Sequence, residues 1–187
     1  NEYCQKQNTK NDPDNICTHC YSWTMLKTFR KNMAPALERN SILLNSKILH
    51  LDALPVINQA FFRFNSHGEL ALDKKKATIN LINYINIAIK NPHCNFALWT
   101  KRFDIIKPYF DKNKKPKNFI LVYSNPKINH IFKKPPKHFD RTFNNVYENI
   151  EVDKQNCTGQ KCKDCLLCYK LDTTDTIVEK VKSYGKK

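Results

Sequence analysis

The sequence contains only three glycines in 187 residues, and several motifs that depend on glycine or on paired catalytic groups are missing from it. It has no glycine-rich phosphate-binding loop, no Gly-x-Ser-x-Gly elbow and no His-Glu-x-x-His pair. These absences exclude the P-loop nucleotide site and the commonest serine-hydrolase and metalloprotease centres. No apolar run approaches the length that crosses a bilayer, so we expect no membrane partner.

Arginine is scarce among the basic residues, which argues against bidentate readout of bases or phosphates. Lysine is abundant, and the formal net charge is +15. Charge of this size attracts polyanions such as nucleic acid. The lysines concentrate in segments 74–76, 112–117 and 133–137, each expected to connect two elements. Two readings stay open: these segments bind nucleic acid or a ribonucleoprotein, or they are only solvated surface.

Seven of the eight cysteines lie in two groups near the two ends of the chain. The groups comprise Cys4, Cys17 and Cys20, and Cys157, Cys162, Cys165 and Cys168. Three pairs have CxxC spacing, in which a tight turn aims both sulfurs the same way. A disulfide framework is the alternative, but a chain of this length can bury a core without one. We therefore predict metal ligands, and we expect the isolated Cys94 to be a buried thiol.

The thiolate spacing leaves the metal and the number of sites open. Both zinc and a [4Fe-4S] cluster are bound by cysteines at this spacing. The four distal cysteines form an ordinary set for structural zinc. Alternatively, Cys17 and Cys20 join two of the distal four in one shared site, which would make metal binding part of folding.

Apolar strands alternating with helices predict an α/β fold with a parallel sheet covered by helices. Strands are predicted at 60–67, 95–101, 118–124 and within 141–152, and helices at 21–45, with a break or kink at Pro35, 77–90 and 103–110. We expect a single domain over residues 1–187. It comprises an N-terminal cysteine loop at 1–22, a β/α core at 23–152, a cysteine hairpin at 153–170 and a tail helix at 171–187.

Polar residues gather where the predicted strands end, which is the working face of β/α architectures. They are Arg63, Asn65, His67 and Glu69 after the first strand, Thr100, Lys101 and Arg102 after the second, and Ser124 and Asn125 after the third. Arg63 is the strongest candidate, because an arginine between phenylalanines inside a strand needs an anionic partner or a ligand.

The order of these features resembles a family of phage and prophage proteins known as gene product eighty-eight. The segments that carry the resemblance are CTHCYS, FFRFNSHGEL, FALWTKR, FILVYSNP and CTGQKCKDCLLCYK. That family is in turn similar to radical S-adenosylmethionine (SAM) enzymes. The resemblance therefore implies a partial (β/α) barrel-like parallel sheet with cysteine-rich metal-binding segments at both termini.

The resemblance also implies a cofactor chemistry. It favours a [4Fe-4S] cluster over zinc and adds SAM as a cofactor. Gly68 and Glu69 stand where those enzymes carry the turn that contacts the amino group of the cofactor. The cofactor site implied in this way comprises Arg63, Asn65, His67, Gly68, Glu69, Lys101, Ser124 and Asn125. The implied location is the cytoplasm of a bacterial host cell.

Two functions follow as hypotheses. The first is an iron-sulfur enzyme of the radical SAM type, or a degenerate relative, that acts on nucleic acid or a nucleotide. The second is a non-catalytic basic protein, stabilised by zinc or an iron-sulfur cluster, that binds nucleic acid or a ribonucleoprotein. Such a protein would serve as an inhibitor of a host defence protein such as a CRISPR nuclease. Binding of SAM would favour the first, and steeply salt-dependent polyanion binding the second.

Overall fold

Five parallel strands form the sheet at the centre of the fold, and their spatial order follows the chain. The structure is a computed structural model that describes residues 1–152, 155–171 and 174–181. The strands are β1 (Phe61–Phe64), β2 (Asn95–Thr100), β3 (Phe119–Ile128), β4 (Arg141–Val146) and β5 (Thr176–Lys180). The prediction of an α/β fold with a parallel sheet is confirmed.

Six α-helices accompany the sheet in the described ranges. They are α1 (Glu2–Asn8), α2 (Tyr21–Lys27), α3 (Ala34–Ser46), α4 (Lys74–Lys90), α5 (Phe103–Phe110) and α6 (Cys162–Cys165), with 3-10 turns at Lys31–Met33 and Leu51–Ala53. The Asp73 carboxylate caps α4 by accepting a 2.8 Å hydrogen bond from the Lys76 backbone N–H. None of the described helices has the length and apolar character needed to cross a membrane.

The helix predicted at 21–45 is two helices with a break between them. The chain leaves α2 at Thr28 and re-enters helix through the 3-10 turn before α3. Pro35 lies in the first turn of α3 and does not cause the break. Proline is tolerated there because the N–H groups of the first turn have no partner within the helix.

One face of the sheet carries the main core. Since parallel crossovers are right-handed, a sheet whose strand order follows the chain places its connecting helices on the same face. The helices α4 and α5 cover this face, and Phe64, Phe96 and Leu121 pack beneath them. The opposite face, called the open face below, carries a smaller cluster built on Ile120, Val122, Phe143 and Ile177.

The prediction of a tail helix at 171–187 is wrong where the structure describes that segment. Residues Thr176–Lys180 form β5, which pairs in parallel with β4. The β-branched residues Thr176, Ile177 and Val178 favour a strand, and pairing with a buried neighbour outweighs their weak amphipathic pattern. The remainder of the predicted helix at 172–173 and 182–187 lies outside the described residues.

Candidate functional site

A cavity of about 1280 Å³ runs along the open face of the sheet and continues round the edge strand β1 to the helix side, where Leu44, Phe64 and Tyr84 line it. Its lining includes all seven grouped cysteines: Cys4, Cys17, Cys20, Cys157, Cys162, Cys165 and Cys168. Cys94 is fully buried elsewhere, in the core between sheet and helices, as expected. Segments from opposite ends of the sequence therefore contribute thiols to one cavity.

The N-terminal cysteines, called the proximal group (Cys4, Cys17 and Cys20), are placed by a short pairing with β3. Residues 14–16 pair antiparallel with residues 126–128 through two backbone hydrogen bonds of 2.8 Å. The Asn8 side chain donates a 2.8 Å hydrogen bond to the Cys17 carbonyl and joins α1 to the same loop. The proximal group consequently stands near the carboxyl ends of the central strands.

Lys101 is the cation beside the proximal group. Its ammonium donates a 3.0 Å hydrogen bond to the Ser124 hydroxyl. Burial lowers the pKa of Lys101, but the negative charges that Cys17 and Glu69 carry when ionised outweigh burial and raise the pKa above its ordinary value. The lysine therefore remains charged next to the cysteines, where it favours a negatively charged thiolate site.

Burial is the main influence on the pKa values of the proximal thiols. It raises the pKa of Cys4 to about 12, with the Glu69 charge acting in the same direction. Burial also raises the pKa of Cys17, although Lys101 opposes the shift. Both thiols are thus protonated at neutral pH in the metal-free chain, and metal binding would have to release these protons.

The C-terminal cysteines, called the distal group (Cys157, Cys162, Cys165 and Cys168), lie on a segment that crosses the open face. At one end, the Cys157 backbone N–H donates a 3.1 Å hydrogen bond to the Val178 carbonyl of β5. At the other end, the Tyr169 ring packs against Phe61 of β1, with ring centroids 5.5 Å apart. Cys168 packs on the apolar cluster of this face, and burial raises its pKa to about 12 despite the opposing charge of Arg63.

Each cysteine group has its own cation, because Lys101 stands beside the proximal group and Arg63 beside the distal group. The two cysteine groups therefore lie in different electrostatic surroundings. In the placement that the structure describes for its residues, no three His, Cys, Asp or Glu side chains are close enough to hold a metal ion. The chemistry of the donors nevertheless fits a soft metal, since thiolates bind zinc and iron-sulfur clusters and both cysteine groups line the cavity.

The turn at Gly68 and Glu69, which was predicted to contact a cofactor, is held in place by hydrogen bonds within the protein. Glu69 is buried, and its carboxylate accepts hydrogen bonds from the Thr100 hydroxyl at 2.6 Å and from the Lys101 and Leu70 backbone N–H groups at 2.7 and 2.8 Å. Burial raises the pKa of Glu69. Gly68 has φ +118°, a backbone conformation that favours glycine. Both residues line the cavity, but the Glu69 carboxylate is already used by the protein.

Of the other six residues predicted for the cofactor site, five line the cavity and one does not. Arg63, Asn65, His67, Lys101 and Ser124 line the cavity. His67 faces α2, where Nδ1 lies 2.7 Å from the Ser22 hydroxyl, and burial lowers its pKa.

Asn125 does not line the cavity. It is fully buried, where its side chain donates to Asn144 at 3.1 Å and accepts from the Lys127 backbone N–H at 3.0 Å. The reason is that β3 continues to Ile128, so Asn125 lies within the strand and points away from the open face.

Trp99 is a cavity residue that the sequence pattern did not single out. The Arg63 guanidinium lies 3.7 Å from the centroid of the Trp99 ring, and the Phe143 ring lies 4.1 Å from it on the open face. The sequence could have identified Trp99, because side chains two residues apart in a strand lie on the same face and Lys101 was already a candidate.

The three basic segments do not share one surface. Lys115 pairs with Asp140 just before β4, and Lys137 pairs with Asp111 at the end of α5, so segments 112–117 and 133–137 lie at the amino edge of the sheet. Segment 74–76 begins α4 at the carboxyl edge. Of the lysines in these segments, Lys76 lines the cavity. The larger basic surface is therefore separate from the cysteines.

A family model described as Gene product 88 matches residues 1–171 of the chain. The matched range includes both cysteine groups and β1 to β4, and it ends before β5. No curated protein and no solved structure matches the chain.

Proposed function

This chain belongs to the gene product 88 family, and on that premise we propose that it is a cysteine-ligated metalloprotein with metal centres on either side of a ligand cavity. The observation that supports the proposal is that all seven grouped cysteines line the same cavity. Unrelated roles for the two cysteine groups would not require segments from both ends of the sequence to line the same cavity.

For the proximal group we propose a [4Fe-4S] cluster. Three thiolates leave one iron without a protein ligand, and such a cluster supplies electrons and an open position for a cofactor when bound. Lys101 offsets the negative charge of the thiolates, and Ser124 fixes the position of its ammonium. Zinc is the alternative metal, and the four thiols of the distal group form a complete set for either.

As its cofactor we propose SAM, and nucleic acid or a nucleotide as its substrate, as expected of a relative of radical SAM enzymes. Support comes from the strand order, since sequential parallel strands with helices on one face have the arrangement of part of a β/α barrel. The turn at Gly68 and the side chains of Asn65 and Lys101 line the cavity near the proximal group. Glu69 holds this turn in place through Thr100.

The experiment that tests this proposal is purification without oxygen, followed by metal analysis and visible spectroscopy with and without SAM. Iron and sulfide with a brown chromophore that SAM perturbs would support it in full. Stoichiometric zinc in a colourless protein would leave a metalloprotein without the radical chemistry. A metal-free protein would contradict the proposal.

A second function is favoured by the separate basic surface at the amino edge. Its lysines at 112, 114, 117, 133, 134 and 137 are exposed. In this alternative the metal stabilises the fold, and the basic edge binds nucleic acid or a ribonucleoprotein, including one of a host defence system. Binding of single-stranded RNA that weakens steeply between low and moderate salt would support it. Binding that does not change with salt would contradict it.

A further inference from the structure

We propose that the cavity binds a small organic anion on the open face of the sheet, between the two cysteine groups. Arg63 and Trp99 are its hydrogen-bond donors. The inference extends the proposed function, on which it rests for the metal centres on either side, by naming the class of a further ligand. Anion binding itself requires no metal.

The first support is a set of buried donors without acceptors. Arg63 Nε and Trp99 Nε1 are both buried and have no hydrogen-bond partner among the described residues. Both atoms belong to cavity-lining residues, and both are donors. Leaving such groups unpaired is unfavourable, and native proteins rarely do so. A ligand with several acceptor atoms would satisfy them together.

The second support is the charge of Arg63. Its side chain forms no ion pair with a carboxylate in the part of the chain that the structure describes. The Glu69 carboxylate, which belongs to another residue that lines the cavity, is already occupied by Thr100 and Lys101. An arginine half-buried on a sheet face needs a negative partner. The ligand is therefore anionic.

The third support is preorganisation. Trp99 stacks against the Arg63 guanidinium and packs on Phe143, so both the guanidinium plane and the indole edge are held in position. A planar guanidinium binds carboxylate or phosphate oxygens in pairs. Fixing the donors before binding reduces the entropy cost of ordering them when the ligand arrives.

The size of the cavity limits the size of this ligand. Its volume of about 1280 Å³ exceeds the roughly 300–1,000 Å³ of ordinary small-molecule sites, but that volume is divided between the open face and the helix side of β1. A carboxylate and a phosphate monoester both fit the donor set. The test must therefore distinguish these two sources of negative charge.

The test uses Trp99 as its own reporter. The chain contains two tryptophans, so Trp23→Phe leaves Trp99 as the only indole. The protein as purified is titrated with inorganic phosphate, adenosine monophosphate and succinate, and fluorescence is recorded at each concentration. We expect saturable binding of at least one probe. A response to the phosphates alone assigns a phosphate ligand, and a response to succinate assigns a carboxylate.

Three variants locate the binding. Arg63→Met should weaken it by about tenfold or more, because the charge-assisted hydrogen bonds of the guanidinium are removed. Trp99→Phe keeps an aromatic ring but removes the N–H, and calorimetry should show severalfold weaker binding. Arg39→Met removes an exposed arginine that does not line the cavity and should change nothing. Circular dichroism verifies folding, and Trp99→Phe carries the test if Arg63→Met does not fold.

Two results would overturn the inference. One is the absence of binding by every probe, and the other is unchanged binding in both Arg63→Met and Trp99→Phe. Metal analysis of the variants identifies the rival acceptor: if no probe binds and Arg63→Met also loses metal, the partner of Arg63 is the distal thiolate centre. Failure of the proposed function is separate, since a metal-free protein that binds the anion through Arg63 would contradict only the metalloprotein.

Discussion

The Thr100 hydroxyl donates a 2.6 Å hydrogen bond to the Glu69 carboxylate and thereby joins the turn after β1 to the end of β2. The second carboxylate oxygen accepts the Lys101 backbone N–H at 2.7 Å. Lys101 is thus placed by the same carboxylate that closes the turn. The position of the cation beside the proximal cysteines depends on this contact.

We expect Glu69→Gln to lower the free energy of unfolding by about 1–3 kcal/mol. The reason is that the amide NH2 group of glutamine would face an N–H or O–H donor in a buried site and leave both unpaired. Urea denaturation measures the change. Glu38→Gln, at an exposed position on α3, is the matched control and should have little effect. Equal stability of the two variants would show that Glu69 is not a brace.

Cysteine variants should separate the two groups. We expect Cys17→Ser with Cys20→Ser to remove the proximal metal and leave the distal metal, and Cys162→Ser with Cys165→Ser to do the reverse. Elemental analysis measures the amount of metal bound per chain in each variant. Cys94→Ala, in the core, should retain all metal. Complete loss of metal in both double variants would instead establish one shared site.

The stability of the amino edge should depend on pH through Asp111. Hydrogen bonds from His138, Lys107 and Lys137 hold the pKa of Asp111 well below its ordinary value of 3.8. A depressed carboxyl pKa stabilises the fold above the unfolded pKa, and this stabilisation is lost as the pH falls towards the folded pKa.

We therefore expect Asp111→Asn to lower the Tm at pH 7, and the difference from the parent to narrow as the pH falls below 3.8. Thermal unfolding followed by circular dichroism measures both effects. Glu148→Gln is the control, because Glu148 is exposed and its side chain forms no ion pair within the described ranges. A difference that does not vary with pH would contradict this role of Asp111.

Polyanion binding should map to one edge of the sheet. We expect Lys114→Gln with Lys117→Gln to reduce the salt slope of single-stranded RNA binding by roughly 1.4, which is about 0.7 for each phosphate that is no longer neutralised. Lys74→Gln with Lys75→Gln removes the same charge from the carboxyl edge and should leave the slope unchanged. Equal effects of the two pairs would indicate attraction by net charge alone.

Much of the sheet could be predicted from local pattern. The apolar strand β2 and the start of β3 were expected close to their observed places, because burial of both faces leaves continuous apolar runs. The helix α5 was expected at its observed place. The strand β5 was missed because five residues with a mixed pattern fit a strand or a helix equally well. Its identity depends on pairing with β4, which no local pattern contains.

Sequence patterns selected many of the residues that line the cavity, but not their arrangement. Clustering and CxxC spacing selected the cysteines, and the predicted strands and their ends selected Arg63 and Lys101. The convergence of the two groups depends on crossover handedness and on segments that pack across the open face. Asn125 was predicted to lie at the end of a strand because the sequence pattern placed the end of β3 at residue 124, four residues before its observed end. The boundary of a strand decides which side chains face a site.

The order of elements along the chain also has a biosynthetic consequence. The proximal cysteines emerge from the ribosome before any strand of the sheet, whereas the distal cysteines emerge after β4. At roughly 5–20 residues per second, the first thiols wait many seconds for the surface that buries them. During translation they are open to oxidants and to stray metals. The proximal thiols are therefore buried only after most of the sheet has been synthesised.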